Sequence, residues 1–276
     1  MSECTHDCST CGADCASRKD PKSFLETPNE QSSIKRIVAV ASGKGGVGKS
    51  FVTASLAVMM SRRGYKCAVL DADVTGPSIA RLFGVTQKCE SDGTYMFPAQ
   101  TKAGVDVISV NMLLQDDTTP VVWRGPVIAG VVKQFYTDVI WKDIDFLFVD
   151  MPPGTGDVPL TVFQSLPVNA AVVVSTPQDL VSMIVGKAVN MAQMMNIPVA
   201  GLIENMAYVE CPDCGKQIRL FGESSAMEVA AAHHIGMLAS MPIKPENAQL
   251  CDEGRIDEID IPALDGACEV LEALIH

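Results

Sequence analysis

"SGKGGVGKS" (residues 42–50) decides the fold. It has the form G-x-x-x-x-G-K-S, in which glycines let backbone N–H groups turn inward around phosphate oxygens. The stretch before it, "IKRIVAVAS" (34–42), is rich in Val and Ile and reads as a buried strand. The stretch after it, "KSFVTASLAVMMSRRG" (49–64), has helical length and stops at Gly64. A strand, a glycine loop and a helix in that order form a phosphate cradle at a helix N-terminus. Gly43, Gly45, Gly46, Val47 and Gly48 supply its backbone. Lys49 is expected along the β- and γ-phosphates of ATP, and the Ser50 hydroxyl on Mg²⁺. Lys44 is a second cation, directly after the first glycine, that the motif does not require.

Working outward, "YKCAVLDAD" (65–73), "FLFVD" (146–150), "AAVVVST" (170–176) and "PVAGLIEN" (198–205) read as further apolar strands. "DLVSMIVGKAVNMAQMMN" (179–196) reads as a helix whose methionines fill core. Strands alternating with helices predict an α/β fold, a mostly parallel sheet with helices on both faces. Ligands of such sheets bind at the carboxyl ends of the strands. Asp150 ends one strand, where an acid holds the magnesium ion through water, and "PPGTGD" comes next as a glycine-punctuated switch loop. Asp71 and Asp73 end another; alternation along the strand points both the same way, and one can orient an attacking water. Residues 86–120 read as a small hairpin and an edge strand, and 208–221 as an insertion after a strand.

The 276 residues are 47% hydrophobic and carry a net charge of −12, enough for one buried core. An acidic surface offers no footprint for nucleic acid or an anionic membrane. "MSECTHDCSTCGADC" has neither the basic nor the apolar region of a secretory signal, and no apolar run reaches bilayer length. A cytoplasmic location is expected.

Ten cysteines are many for such a chain. In a reducing compartment, close spacings point to metal or redox sites. Cys4, Cys8, Cys11 and Cys15 crowd a polar tail (residues 1–32) that a metal can order, ahead of a domain spanning 33–276. His6 can substitute as a ligand. Cys211 and Cys214 form a tight "CPDCG" knuckle. Two thiolates do not complete a zinc or four-iron site. Three arrangements fit: a zinc ribbon with Cys8 and Cys11, a redox dithiol, or a two-fold dimer that brings four thiolates to one bridging cluster. Cys67, Cys89, Cys251 and Cys268 read as small buried hydrophobes, and His233–His234 as solvated.

"GKGGVGKS", "DADVTGPS", "VDMPPGTGD" and "IENMAYVECPDCG" together resemble the Mrp-type iron–sulfur cluster carrier ATPases. These belong to the deviant-Walker P-loop group that includes MinD, ParA and the nitrogenase iron protein. The resemblance runs from about residue 34 to the C-terminus. It implies a homodimer in which Lys44 reaches the partner's nucleotide, Asp73 orients water, Asp71 belongs to the first switch, and Asn205 and Pro242 lie at the adenine. It further implies a 4Fe-4S cluster shared by Cys211 and Cys214 of both subunits and delivered to apo iron–sulfur proteins. Some members carry an N-terminal four-cysteine set with a longer first gap than the one here. The expected function is thus an ATP-hydrolysing cluster carrier. The alternative is a MinD- or ParA-like positioning ATPase with a structural zinc. Against it, the C-terminus "LDGACEVLEALIH" is short and acidic rather than basic or amphipathic. An ATP-dependent electron donor is a third class, disfavoured because its cluster cysteines lie far apart in sequence.

Overall fold

The computed structural model describes residues 24–74, 76–113, 125–178 and 181–275. Cys4, Cys8, Cys11, Cys15 and His6 lie outside the described residues.

The strand preceding the glycine loop is β1 (Ile34–Ala41). It lies between β7 (Ile144–Asp150) and β8 (Ala170–Ser175), both parallel to it. Outward from β7 come β2 (Cys67–Asp71), β6 (Asp106–Ile108) and β5 (Ala99–Gln100). Outward from β8 comes β9 (Val199–Glu210), whose far edge pairs in parallel with β11 (Met237–Pro242) and, near its end, antiparallel with β10 (Gln217–Ile218). The chain therefore leaves β1 toward one side of the sheet and later returns to the other. The glycine loop sits at that switch point, where open α/β sheets form their crevice.

Every residue of β2 and β8 is buried, as are the last five of β1. Successive side chains of a strand point to opposite faces, so both faces are covered. Helix α1 (Lys49–Arg62) buries ten of its fourteen residues against the sheet centre. Gly64, at φ 94, closes it by donating to the Ser61 carbonyl, as its sequence position predicts. Next come α2 (Ile79–Leu82), α3 (Gly125–Thr137), α4 (Asp157–Ser165) and α5 (Val181–Met194), and later α6 (Ala226–Ala232), α7 (Pro245–Asp252) and α8 (Asp265–Glu272). The predicted hairpin is β3 (Glu90–Ser91) with β4 (Met96–Phe97). The predicted edge strand is β6, but the antiparallel β5 covers its outer side.

Three further readings are corrected by packing. Asn29, assigned to the tail, donates through Nδ2 to the carbonyls of Thr137 and Val139, which ties residues ahead of 33 to the domain. β9 does not stop at Asn205 but continues to Glu210, so the insertion grows directly out of a sheet strand. His233 is only half exposed: a Cβ added at Gly186 of α5 would lie 3.1 Å from its Nε2, so the ring packs on that helix.

One approach is closer than side chains allow. A Cβ on Gly254 would fall 2.5 Å from the Gly84 Cα, and one on Gly84 would fall 2.6 Å from the Gly254 carbonyl oxygen. Both residues have positive φ (64 and 68), so a glycine is required on two counts. This contact fastens the end of α2 to the end of α7.

Candidate functional site

The carboxyl ends of β1, β2 and β7 converge on the glycine loop. Lys49 and Asp150 form its buried centre: Lys49 Nζ lies 2.7 Å from Asp150 Oδ1, with side-chain exposures of 6% and 0%. Ser50 Oγ donates to Asp150 Oδ2 at 2.5 Å, and Thr53 Oγ1 to Oδ1 at 2.9 Å. Asp150 thus accepts from three side chains of α1, which compensates the cost of burying a charge. Thr53, one turn along α1, is a member of this constellation that the motif alone does not reveal.

Asp73 Oδ2 stands 3.6 Å from Lys49 Nζ at the rim of the groove. Asp71 is the last residue of β2, and Asp73 lies just beyond the strand, where its carbonyl accepts the Gly76 N–H. Asp71 is fully buried and accepts from Ser109 Oγ at 2.9 Å and from the backbone N–H groups of Asp73 and Ile79. It braces the acid-bearing loop from below. Burial, and then the Asp150 carboxylate beside it, hold its carboxyl well above the usual range.

Lys44 is half-buried at the loop's outer side, and its ammonium donates to Gln178 Oε1 of the same chain. Gly43 faces α5: a Cβ there would sit 2.4 Å from the Ile184 carbonyl oxygen, so this glycine allows the loop to lie against the helix.

The groove has two ends. The polar end, about 300 Å³, is lined by Lys44 to Phe51, Asp73 and Pro153. The apolar end, also about 300 Å³, is lined by Phe51, Leu82, Asn205, Pro242, Ala248 and Cys251, among others. Gly48, Phe51 and Leu82 border both. Asn205 and Pro242 therefore lie in one pocket beside the phosphate loop. So does Cys251, which is half-exposed: it packs against the edge of the core and also lines this pocket. Cys67 and Cys268 are buried, whereas Cys89 is partly exposed.

Cys211 and Cys214 sit where β9 turns back into β10. The Cys211 N–H donates to the Lys216 carbonyl at 2.9 Å, and the Gly215 N–H to the Cys211 carbonyl at 2.9 Å. Gly215, at φ 70, makes the turn possible. N–H groups of Asp213 and Cys214 point at the Cys211 sulfur and hold its thiol below the ordinary range, with the Cys214 side chain adding to this. Cys214 is exposed, and the hairpin beyond it exposes Ile218, Leu220 and Phe221. Among the described residues, no third His, Cys, Asp or Glu joins a metal-ligating group. Behind the hairpin, the buried Glu204 carboxylate holds the Ser224 hydroxyl. In the reduced chain, Cys211 should alkylate with a half-maximal rate at lower pH than Cys251, whose burial pushes it up to about 11. The thiolate is the nucleophile, so a depressed thiol reacts at lower pH. Peptide-resolved iodoacetamide rates between pH 6 and 10 check this, and the opposite order would contradict the N–H cradle.

Comparison with known proteins agrees with this geometry. A family model described as ParA, NUBPL iron-transfer P-loop NTPase, matches residues 33–272. The iron-sulfur cluster carrier protein of Clostridium perfringens is 46% identical over 233 residues, covering 82% of each chain. That of Methanocaldococcus jannaschii is 40% identical over 261 residues, covering 92% of this chain and 90% of its own. Among solved structures, a nucleotide-binding protein from Archaeoglobus fulgidus in complex with ADP superposes with a TM-score of 0.75 at 43% identity, covering 84% of this chain and 90% of that one. MinD of Aquifex aeolicus, at 17% identity and a TM-score of 0.59, shares the fold. No described helix is long and apolar enough to cross a membrane. By motif, sheet order and near-full-length similarity, the chain belongs to the NUBPL-type iron-transfer P-loop NTPases.

Proposed function

We propose that this protein is an ATP-hydrolysing iron–sulfur cluster carrier. It would hold a 4Fe-4S cluster between two copies of the Cys211–Cys214 knuckle and hand it to apo iron–sulfur proteins. The observation that carries the reading is that β9 lines the nucleotide groove with Asn205 and ends in that knuckle. Two relatives above 38% identity bear the name iron-sulfur cluster carrier protein, and one of known structure holds ADP. The cluster is cargo, so an exposed knuckle suits it: ligands must be reachable for release.

ATP would place its phosphates in the polar end, against the loop N–H groups and Lys49, and its base in the apolar end beside Asn205 and Pro242. The oxygen donors Ser50, Asp73 and Asp150 suit Mg²⁺, a hard cation that neutralises phosphate charge when bound. Asp73 at the rim is positioned to orient the attacking water, while buried Asp150 fixes Lys49 and Ser50. Lys44 would leave Gln178 and meet the nucleotide of a facing subunit, supplying positive charge as phosphoryl charge develops. Exposed Ile218, Leu220 and Phe221 beside the thiols give a second copy or a recipient protein an apolar surface to bury.

Anaerobic purification with iron, sulfide and zinc counted tests this. A chain lacking residues 1–20 should retain about two iron and two sulfide per subunit, as expected of one four-iron cluster per dimer. Cys211→Ala/Cys214→Ala in that background should retain none. Stoichiometric zinc without iron would instead favour a structural site.

A further inference from the structure

β9 is irregular between its two functional ends. Met206, one residue past Asn205, has φ 59, a left-handed conformation rare for residues with a side chain. The pairing with β11 locates the irregularity: Glu204 faces Ser240 and Tyr208 faces Pro242, so β9 takes four steps where β11 takes two. The surplus forms a bulge at Met206, and a bulge bends its strand and re-aims the residues beyond it.

Asn205 holds this bulge from both sides. Its Oδ1 accepts the Met206 N–H at 2.9 Å, and its Nδ2 donates to the Val47 carbonyl of the phosphate loop at 3.0 Å. The amide lies hard against that loop, since a Cβ on Gly48 would fall 2.2 Å from Nδ2. Beyond the bulge the path stays bonded. The Tyr208 carbonyl accepts the Ile243 N–H at 2.7 Å, Val209 and Glu210 pair with Ile218 and Gln217, and Cys211 comes next. One side chain therefore joins the loop that cradles phosphate to the left-handed residue on the way to the knuckle.

We infer that Asn205 is a positioning residue for the cysteines, transmitting occupancy of the groove to the Cys211–Cys214 knuckle through the Met206 bulge. This rests on the reading of groove and knuckle as nucleotide and cluster sites. A nucleotide that shifts the Val47–Gly48 backbone, or draws the amide toward its base, moves the acceptor that fixes the Met206 N–H. The backbone at Met206 then relaxes toward the extended basin and rotates the hairpin beyond it. Left-handed and extended conformations are discrete wells, so a small shift at the loop becomes a step at the hairpin.

The test uses the full-length, reduced, metal-free chain and peptide-resolved iodoacetamide rates at Cys211 and Cys214. Rates are compared without nucleotide and with saturating Mg-ADP or a non-hydrolysable ATP analogue, saturation being set for each variant by titration. In the wild type, nucleotide should change the Cys211 rate at least threefold. Asn205→Asp keeps the acceptor for Met206 but loses the donor to Val47, and its nucleotide response should fall below 1.5-fold. Met206→Gly, which adopts either conformation freely, should lose the response as well, and it decides the matter if Asn205→Asp binds no nucleotide. A wild-type response that survives intact in Met206→Gly overturns the link through the bulge and leaves the carrier reading standing. Absence of any response in the wild type overturns both this inference and nucleotide control of the knuckle, whatever the iron count.

Discussion

Lys49→Ala should destabilise the protein before any nucleotide is added. Lys49 and Asp150 are a buried pair 2.7 Å apart, and alanine leaves the Asp150 carboxylate, among the described residues, with the Ser50 and Thr53 hydroxyls as partners. Removing one member of a buried ion pair costs roughly 3–5 kcal/mol, because the remaining charge stays desolvated. For a domain of this size that corresponds to a drop in melting temperature of about 10 °C. The double variant Lys49→Ala/Asp150→Asn, which removes the stranded charge, should recover more than half of the loss. Nucleotide affinity should fall roughly 10- to 150-fold, the worth of a charge-assisted bond to phosphate of about 1.5–3 kcal/mol. A single variant melting within 2 °C of wild type would overturn the reading of this ion pair as a buried, stability-bearing contact.

Lys44→Ala should separate binding from turnover. Its ammonium sits at the outer side of the loop and bonds to Gln178, so the cradle itself does not depend on it. Nucleotide affinity should stay within about threefold of wild type. Hydrolysis should fall about 100- to 1000-fold, as when one donor to developing phosphoryl charge is removed. Mixing Lys44→Ala with Asp73→Asn distinguishes the two possible geometries. If the lysine acts across a dimer, the mixed dimer contains one complete site, with Asp73 from one chain and Lys44 from the other, and activity returns. Failure to recover would assign Lys44 to its own nucleotide, and unchanged turnover in the single variant would leave it without a catalytic role.

How far the sequence is legible depends on whether a contact is local. The phosphate loop is readable because its function is carried by backbone torsions and by Lys49 and Ser50, all within one contiguous stretch. The sheet obeys the same logic, since strands buried on both faces read as unbroken apolar runs. Asn205 and Pro242 are assigned by resemblance alone, and the structure brings them into one pocket with Leu82 and Cys251. Spacing carries no sign that Cys251 lines that pocket, since a lone cysteine on a short helix looks like filler. Thr53 and Ser109 escape a reading of the sequence as well, because a hydroxyl becomes significant only through the buried carboxylate it meets, Asp150 or Asp71. Asp71 and Asp73 look equivalent under strand alternation. The strand ends between them, and one braces while the other faces the groove. Met206 carries no local signal at all: its left-handed backbone falls where the register between β9 and β11 shifts, a feature of pairing between strands distant in sequence.

The meeting of Gly84 and Gly254 has a consequence for which ligands the apolar pocket accepts. Leu82 and Cys251 stand two and three residues before those glycines, and both line the pocket. Because the glycines meet main chain to main chain, the distance between the two helix ends is set there by backbone, and Leu82 and Cys251 inherit that spacing as two walls of the pocket. A substitution at either glycine would therefore reshape the pocket from outside it, although neither glycine lines it.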